Sequence, residues 1–536
     1  MNQSTGGAAS RRELGLIAIA LGAAAAAIYG PYIANGGFMI DDWSNALAAA
    51  HPRTGSVIQD FWETPNVRIG LALYIPATHQ ALGPSAALHI ALAIVLAVAM
   101  STTLYALLRR LAFTPLPAGA IALLVLLFPW ADSARLWSVA GHISLAVTLA
   151  LIGVALALRG LDARAQGNSG LGRRLHAAAL ALYAASLLIY DIAGSALLLA
   201  GALYLTRADW RTVRWRWAGD VVVVIACLVL TWLKVDRERY PLSAMIDHAE
   251  AIADGGLSIL ALAAHPFGTL GRDTILFGLA AVIVAAMAVR LLLPSSDDAR
   301  PAVGRWLATA GSGALLAAVS WAQFIPAHSY YNPISPGAGN RVNVLASVGV
   351  VLVVYAAAVL VGLLLFRGVR RWTHPAAALS TALAAALVWG YAHDARDQRQ
   401  AWTRAARTAD NILATITSTI PMPPEGSTIY TFGHPGGERP GVPIFSYSWD
   451  LDGAVGLVYD TPNLDAYPIL EGTAMNCLRT GVAPVGSGWV TDAHGAPYGA
   501  AYFVDVESSS VQRIDSRRDC LEAQTRFLPG PAVRTL

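Results

Sequence analysis

Charge is scarce in this chain. Only 13% of its 536 residues are charged and 55% are hydrophobic, and mean hydropathy is +0.51. Soluble domains carry roughly a quarter charged residues, so the balance excludes an ordinary soluble globule and points to an integral membrane protein. Lysine is nearly absent: Lys234 is the only one, and every other basic residue is arginine. There are three cysteines, and neither CxxC nor HExxH spacing occurs. Nothing in the sequence therefore supports a dedicated transition-metal site, a divalent cation or any redox cofactor. Net charge is a weak +3, and the arginines fall in short clusters between apolar runs. That distribution suits membrane topology and sets nucleic acid aside as a partner.

What the chain has in abundance is long apolar runs. A span needs roughly 20 apolar residues to cross about 30 Å of hydrocarbon. About eleven such runs are predicted, near 14–34, 85–108, 116–131, 140–158, 175–190, 192–206, 219–234, 274–293, 306–325, 343–366 and 374–392. Alternate connections hold the arginines: Arg11 and Arg12, Arg109 and Arg110, then 159–174, 207–216, 290–305 and 367–371. By the positive-inside rule these connections and the N-terminus face the cytoplasm, and the other connections and the C-terminal tail face outward across a plasma or inner membrane. A cleaved signal peptide is the rival reading of the first run.

Three outward connections are long, at about 35–84, 235–273 and 326–342, and long loops are where binding and chemistry concentrate. Residues 1–393 thus read as a polytopic helical domain whose first outer loop spans 35–84. From 394 the composition changes. "HDARDQRQAWTRAARTADNILATI" places Trp402, Ala406, Ile412, Leu413 and Ile416 on one helical face. "STIYTFG", "VPIFSYS", "AVGLVY" and "AYFVDV" then read as short strands, so 394–536 is expected to be a small outer α+β domain. Its Cys477 and Cys520 either pair, closing a loop of about 43 residues in an oxidising compartment, or stay free. Cys227, inside an apolar run, reads as a packing residue.

The first outer loop opens with "GGFMIDDWSNAL". Adjacent carboxylates at the lip of a membrane cavity repel each other and lose solvation, which raises the pKa of one and makes it a usable general base. The plainer alternative is that Asp41 and Asp42 only begin a helix or solvate a loop. The loop continues "FWETPNVRIGLALYIPATHQALGPSAALHIALA", with Arg68 and His89. In its order of acidic pair, loop arginine, amphipathic "GLALYIPATHQALG" and "LHIALA", the stretch resembles the GT-C superfamily of membrane glycosyltransferases. These enzymes use sugars carried on polyprenyl phosphate and include protein O-mannosyltransferases, aminoarabinose transferases and arabinofuranosyltransferases. The likeness covers the first loop well and the layout of spans plus outer tail loosely, and DD stands here where many members carry DE or ED.

The resemblance implies an acid that takes the proton of an acceptor hydroxyl as it attacks the anomeric carbon. Asp41 is the expected base, with Asp42 orienting the acceptor or tuning the pair. Trp43 is either a platform for a sugar ring or an interfacial anchor. The leaving phosphate gains negative charge and needs fixed cations. Arg341, in "HSYYNPISPGAGNRVNVLA", is the first candidate. Lys234 and Arg237, in "TWLKVDRERYPL", follow, and His265 in "AAHPFG" and Arg68 are weaker suggestions. Asp191, beside Tyr190 in "SLLIYDIAG", either lines the acceptor cavity or marks a tight hairpin. Asp132, Arg135 and Trp137 border the same cavity or pair with one another. The expected partners are a polyprenyl-phosphate-sugar donor, membrane lipids, and a cell-envelope glycan, lipid or protein acceptor. A transporter or flippase of envelope precursors, or a glycan polymerase or ligase of another architecture, is the alternative.

Overall fold

The computed structural model describes residues 9–64, 67–234, 241–292, 299–327, 330–367, 373–486 and 495–527. The helices are α1 Arg11–Asn35, α2 Asp41–Ala50, α3 Val57–Glu63, α4 Leu71–Leu82, α5 Ala86–Arg110, α6 Pro115–Leu127, α7 Ser133–Leu136, α8 Gly141–Ala165, α9 Ser169–Ile189, α10 Gly194–Leu198, α11 Ala200–Tyr204, α12 Trp210–Lys234, α13 Leu242–Ala264, α14 Arg272–Leu292, α15 Ala299–Ala322, α16 Asn343–Phe366, α17 Thr373–Thr419, α18 Ser448–Val458 and α19 Arg517–Phe527. Among the described residues, eight helices are long and apolar enough to cross a membrane: α1, α5, α8, α12, α14, α15, α16 and α17. The chain is thus a polytopic helical protein by length and composition.

Eleven spans were expected, and the difference has local causes. The run at 116–131 forms only the 13-residue α6, because Phe128 precedes Pro129 and that position disfavours helix. The run at 175–190 lies in α9, whose first turns carry Arg173, Arg174 and His176. The run at 192–206 breaks at Leu199 into α10 and α11. The connection at 235–273, read as a loop, contains the 23-residue α13.

Helix α17 runs unbroken for 47 residues, about 70 Å at 1.5 Å per residue. Its apolar face is buried as the periodicity predicts, with Trp402 and Ile416 at 0% exposure. The helix leads into strands β1 Thr428–Phe432, β2 Gly437–Arg439, β3 Val442–Pro443, β4 Asp465–Pro468, β5 Thr473–Cys477, β6 Gly481–Gly486, β7 Ala496–Pro497, β8 Ala501–Asp505 and β9 Ser510–Ile514. The main sheet has the order β4-β1-β8-β9. Its central β1 pairs parallel with both neighbours, so this region is α/β in its pairing rather than α+β. The β1-to-β4 crossover passes through α18. That helix includes "AVGLVY", read from its β-branched content as a strand. Asp450 overrides that propensity by accepting the amides of Ser446 and Tyr447, at 3.0 and 3.2 Å, and so starting the helix. Cys477 and Cys520 are joined in a disulfide with a Cα–Cα distance of 5.9 Å.

The α/β region is seated on the helical bundle. Helix α18 packs on α2, and a Cβ added at Gly453 would lie 2.5 Å from the Ser44 amide nitrogen, so only glycine allows this approach.

Candidate active site

The acid pair is placed by a strained turn. Ile40 has φ +50°, rare for a β-branched residue, and α2 then opens with Asp41 and Asp42 in its first turn, where unpaired amides favour carboxylates. Asp42 is 2% exposed. Its Oδ2 accepts the Met39 amide at 3.1 Å and its Oδ1 accepts the Val139 amide at 2.9 Å. Both oxygens are therefore engaged in tying the loop after α1 to the turn before α8. Asp41 is half-buried, and its Oδ1 accepts the indole N–H of Trp449 at 2.9 Å. Among the described residues no hydrogen bond reaches Asp41 Oδ2. Burial pushes Asp42 up to about 7, against the Ser138, Met39 and Val139 donors, with the Asp41 charge adding to the rise. Burial also raises Asp41, while the Arg341 charge and the Trp449 hydrogen bond hold it down.

Arg341 is delivered by a 3-10 turn, Gly337–Val342, just ahead of α16. The neighbouring Asn340 locks that turn. Its Oδ1 accepts the Ser133 hydroxyl at 2.9 Å, its Nδ2 donates to Asp132 Oδ1, and Asp132 Oδ2 accepts the Trp402 indole at 2.7 Å. Asp132 is thus a buried tie between three segments, and it positions the turn that carries Arg341. The guanidinium sits among Trp137, Tyr330 and Tyr331, 5.0–5.4 Å from their ring centroids, and donates to the Tyr331 hydroxyl at 2.9 Å. Arg135 turns away, donating to the Phe128 carbonyl.

Arg68 arrives from the other side. The Gly70 amide donates to the Leu188 carbonyl at 2.8 Å, and this contact lays Arg68 over the Tyr190 ring at 4.4 Å, paired with Asp191 at 3.1 Å. Asp191 therefore stands at the turn after α9, where it pairs with Arg68. Burial works against the Arg68 charge, but Asp191 and the nearby phenols outweigh it and raise its pKa. The charges of Arg68 and Arg341 both reach His142, and that of Arg341 reaches Asp41.

The polar atoms left over mark what this place is built to hold. Among the described residues, thirteen buried side-chain nitrogens and oxygens lack a partner. Five of them belong to this one cluster: Arg68 Nε, Trp137 Nε1, His142 Nε2, Tyr190 Oη and Arg341 Nε. Four are obligate or ready donors, and a buried donor without an acceptor costs roughly 1–3 kcal/mol. An anionic group seated among them would satisfy several at once.

No protein-family model, curated protein or solved structure matches the chain. The geometry offers a carboxylate with an open oxygen beside a donor-rich cluster that holds two arginines, one of them paired with Asp191.

Other expected residues lie elsewhere. Lys234 donates to the carbonyls of Trp62 at 2.6 Å and Thr64 at 3.3 Å, so its ammonium closes the C-terminal end of α3 and is not turned to the acid pair. Arg237 lies outside the described residues. His265 ends α13 and pairs with the Thr269 hydroxyl at 2.7 Å, away from the cluster. Trp43 packs between Phe38 and Phe445, at 5.4 and 6.2 Å, where it anchors α2. The sequence reading missed His142, Tyr331 and Asp450. His142 opens an apolar run, and a single polar residue at a span end carries little signal. Asp450 stands beside Trp449, and the Asp41 charge adds to the burial that raises its pKa.

Proposed function

We propose that this protein is a membrane glycosyltransferase of the GT-C kind, moving one sugar from a polyprenyl-phosphate donor to a cell-envelope acceptor. The observation that carries the reading is the juxtaposition of Asp41, with one uncommitted oxygen, and the four unpartnered donors around Arg68 and Arg341. Asp41 accepts the acceptor hydroxyl's proton as that oxygen forms its bond to the anomeric carbon. The bond from the anomeric carbon to the phosphate oxygen breaks, and its electron pair leaves with polyprenyl phosphate. Charge develops on that phosphate, and the guanidiniums of Arg341 and Arg68 with the indole of Trp137 are preorganised to meet it. The rise in the Asp41 pKa makes its carboxylate a stronger base than an exposed aspartate. Asp42, with both oxygens committed, acts as the clamp that fixes the turn.

The arginines ahead of α1 support a cytoplasmic N-terminus and an outer loop after α1, and the packing of α18 on α2 supports the α/β region lying on that loop's side, so the sugar is transferred on the outer face. Transfer of radiolabelled sugar from a polyprenyl-phosphate donor in membranes tests this. Asp41→Asn is expected to lower the rate by about 10²–10⁴, the range of a general base, with protein level unchanged. Transfer that survives in Asp41→Asn would overturn the assignment, and uptake of the substrate without transfer would favour a transporter.

A further inference from the structure

A second cavity lies beside the acid pair, between α2 and α3 on one wall and α18 on the other. It encloses about 330 Å³, within the size range of small-molecule sites. At its edge Gly453 brings α18 directly against the α2 backbone at Ser44. The lining includes Ser44, His51, Asp60, Phe61, Trp449 and Asp452.

The chemistry of this lining selects its occupant. Asp60 is held by the amides of Arg53 at 2.5 Å and Thr54 at 3.0 Å, and Asp452 by the Ala466 amide at 3.1 Å, so both carboxylates are rigidly aimed. Two carboxylates against the single Arg53 disfavour an anion. Much of the wall is apolar, from Leu47, Ala48 and Pro462, but Asp60, Asp452 and Arg53 interrupt it, and burying those groups against hydrocarbon disfavours an acyl chain. The partly exposed Trp449 ring beside fixed acceptors and a hydroxyl matches a molecule with apolar C–H faces and many O–H donors. Two lining residues also touch the base: Trp449 donates to Asp41 Oδ1, and the Ser44 hydroxyl donates to the Asp41 backbone carbonyl at 3.2 Å.

We infer that the cleft between α2, α3 and α18 binds a neutral saccharide chain and presents one of its hydroxyls to Asp41. The inference rests on the transferase reading and narrows its acceptor to a glycan. The lipid-phosphate pocket of Arg68 and Arg341 lies on the other side of Asp41 from this cleft in function: one holds the leaving group, the other the nucleophile.

The test is saturation-transfer NMR on the full-length protein in nanodiscs without donor. The probes are α-mannotetraose, α-arabinofuranotetraose, a tetragalacturonate and a Ser/Thr-rich peptide. At least one neutral tetrasaccharide should bind better than the acidic sugar and the peptide. Asp452→Asn, which keeps the cleft's shape, should weaken that binding by about tenfold, as for the loss of one hydrogen bond. Ser44→Trp, which fills the cleft, should abolish it at an unchanged melting temperature. Binding of neither neutral sugar, preference for the peptide or the acidic sugar, or binding unchanged in Asp452→Asn would overturn the inference. Because donor is absent, the two readings fail separately. Saccharide binding without any transfer would sink the transferase, whereas transfer whose acceptor KM is unmoved by Asp452→Asn would sink the cleft alone.

Discussion

The indole nitrogen of Trp449 lies 2.9 Å from Oδ1 of Asp41, joining residues 408 positions apart. The α/β region therefore does more than follow the bundle in sequence, because it supplies the hydrogen bond that holds the proposed base. Trp449→Phe removes that donor while keeping an aromatic ring. Since the bond lowers the Asp41 pKa, its loss raises it. The acidic limb of the pH–rate profile for sugar transfer should then move to higher pH, and a profile identical to wild type would mean that Asp41 is not the titrating base.

Arg341 sits in an aromatic cage with Nε aimed at no described partner. Arg341→Ala should lower kcat by about 10²–10³, as for removal of one preorganised transition-state donor. Arg341→Lys should restore little, because an ammonium cannot reproduce the planar fork held between Trp137 and Tyr331. Steady-state kinetics at saturating acceptor reads both effects.

Asp42 gives a stability signature distinct from catalysis. Burial pushes its carboxyl up to about 7 in the folded protein, from an ordinary value of 3.8, so the native state holds the proton more tightly than the unfolded chain. Its contribution to stability is then greatest at low pH, declines as pH rises from about 4 to about 7, and levels above that. Thermal melts of wild type should show this decline. Asp42→Asn should flatten it and also lower the melting temperature at every pH, because an amide cannot accept from both Met39 and Val139.

Much of the bundle was legible because a 20-residue apolar run has few alternatives. The misreadings came where a run was cut by a single local feature, such as Pro129 after α6 or Leu199 between α10 and α11. In the tail, "STIYTFG" and "AYFVDV" contain the strands β1 and β8, whereas "AVGLVY" is helical because Asp450 caps it from outside the segment. At the site, the charged residues announced themselves by standing in an apolar chain. Their partners did not: Arg68 and Asp191 are 123 positions apart, and Asp132 and Asn340 are 208. Lys234 drew notice as a lone lysine, but backbone carbonyls take its charge, and carbonyl positions leave no trace in composition.

The central claim is that one anionic headgroup is held between Arg68 and Arg341 next to Asp41. The direct measurement is an experimental structure of the protein with bound polyprenyl phosphate. The phosphate oxygens should lie about 3 Å from Arg341 Nε and Arg68 Nε, with Trp137 Nε1 or Tyr190 Oη completing the shell. A headgroup seated elsewhere, with those atoms still unpaired, would contradict the account.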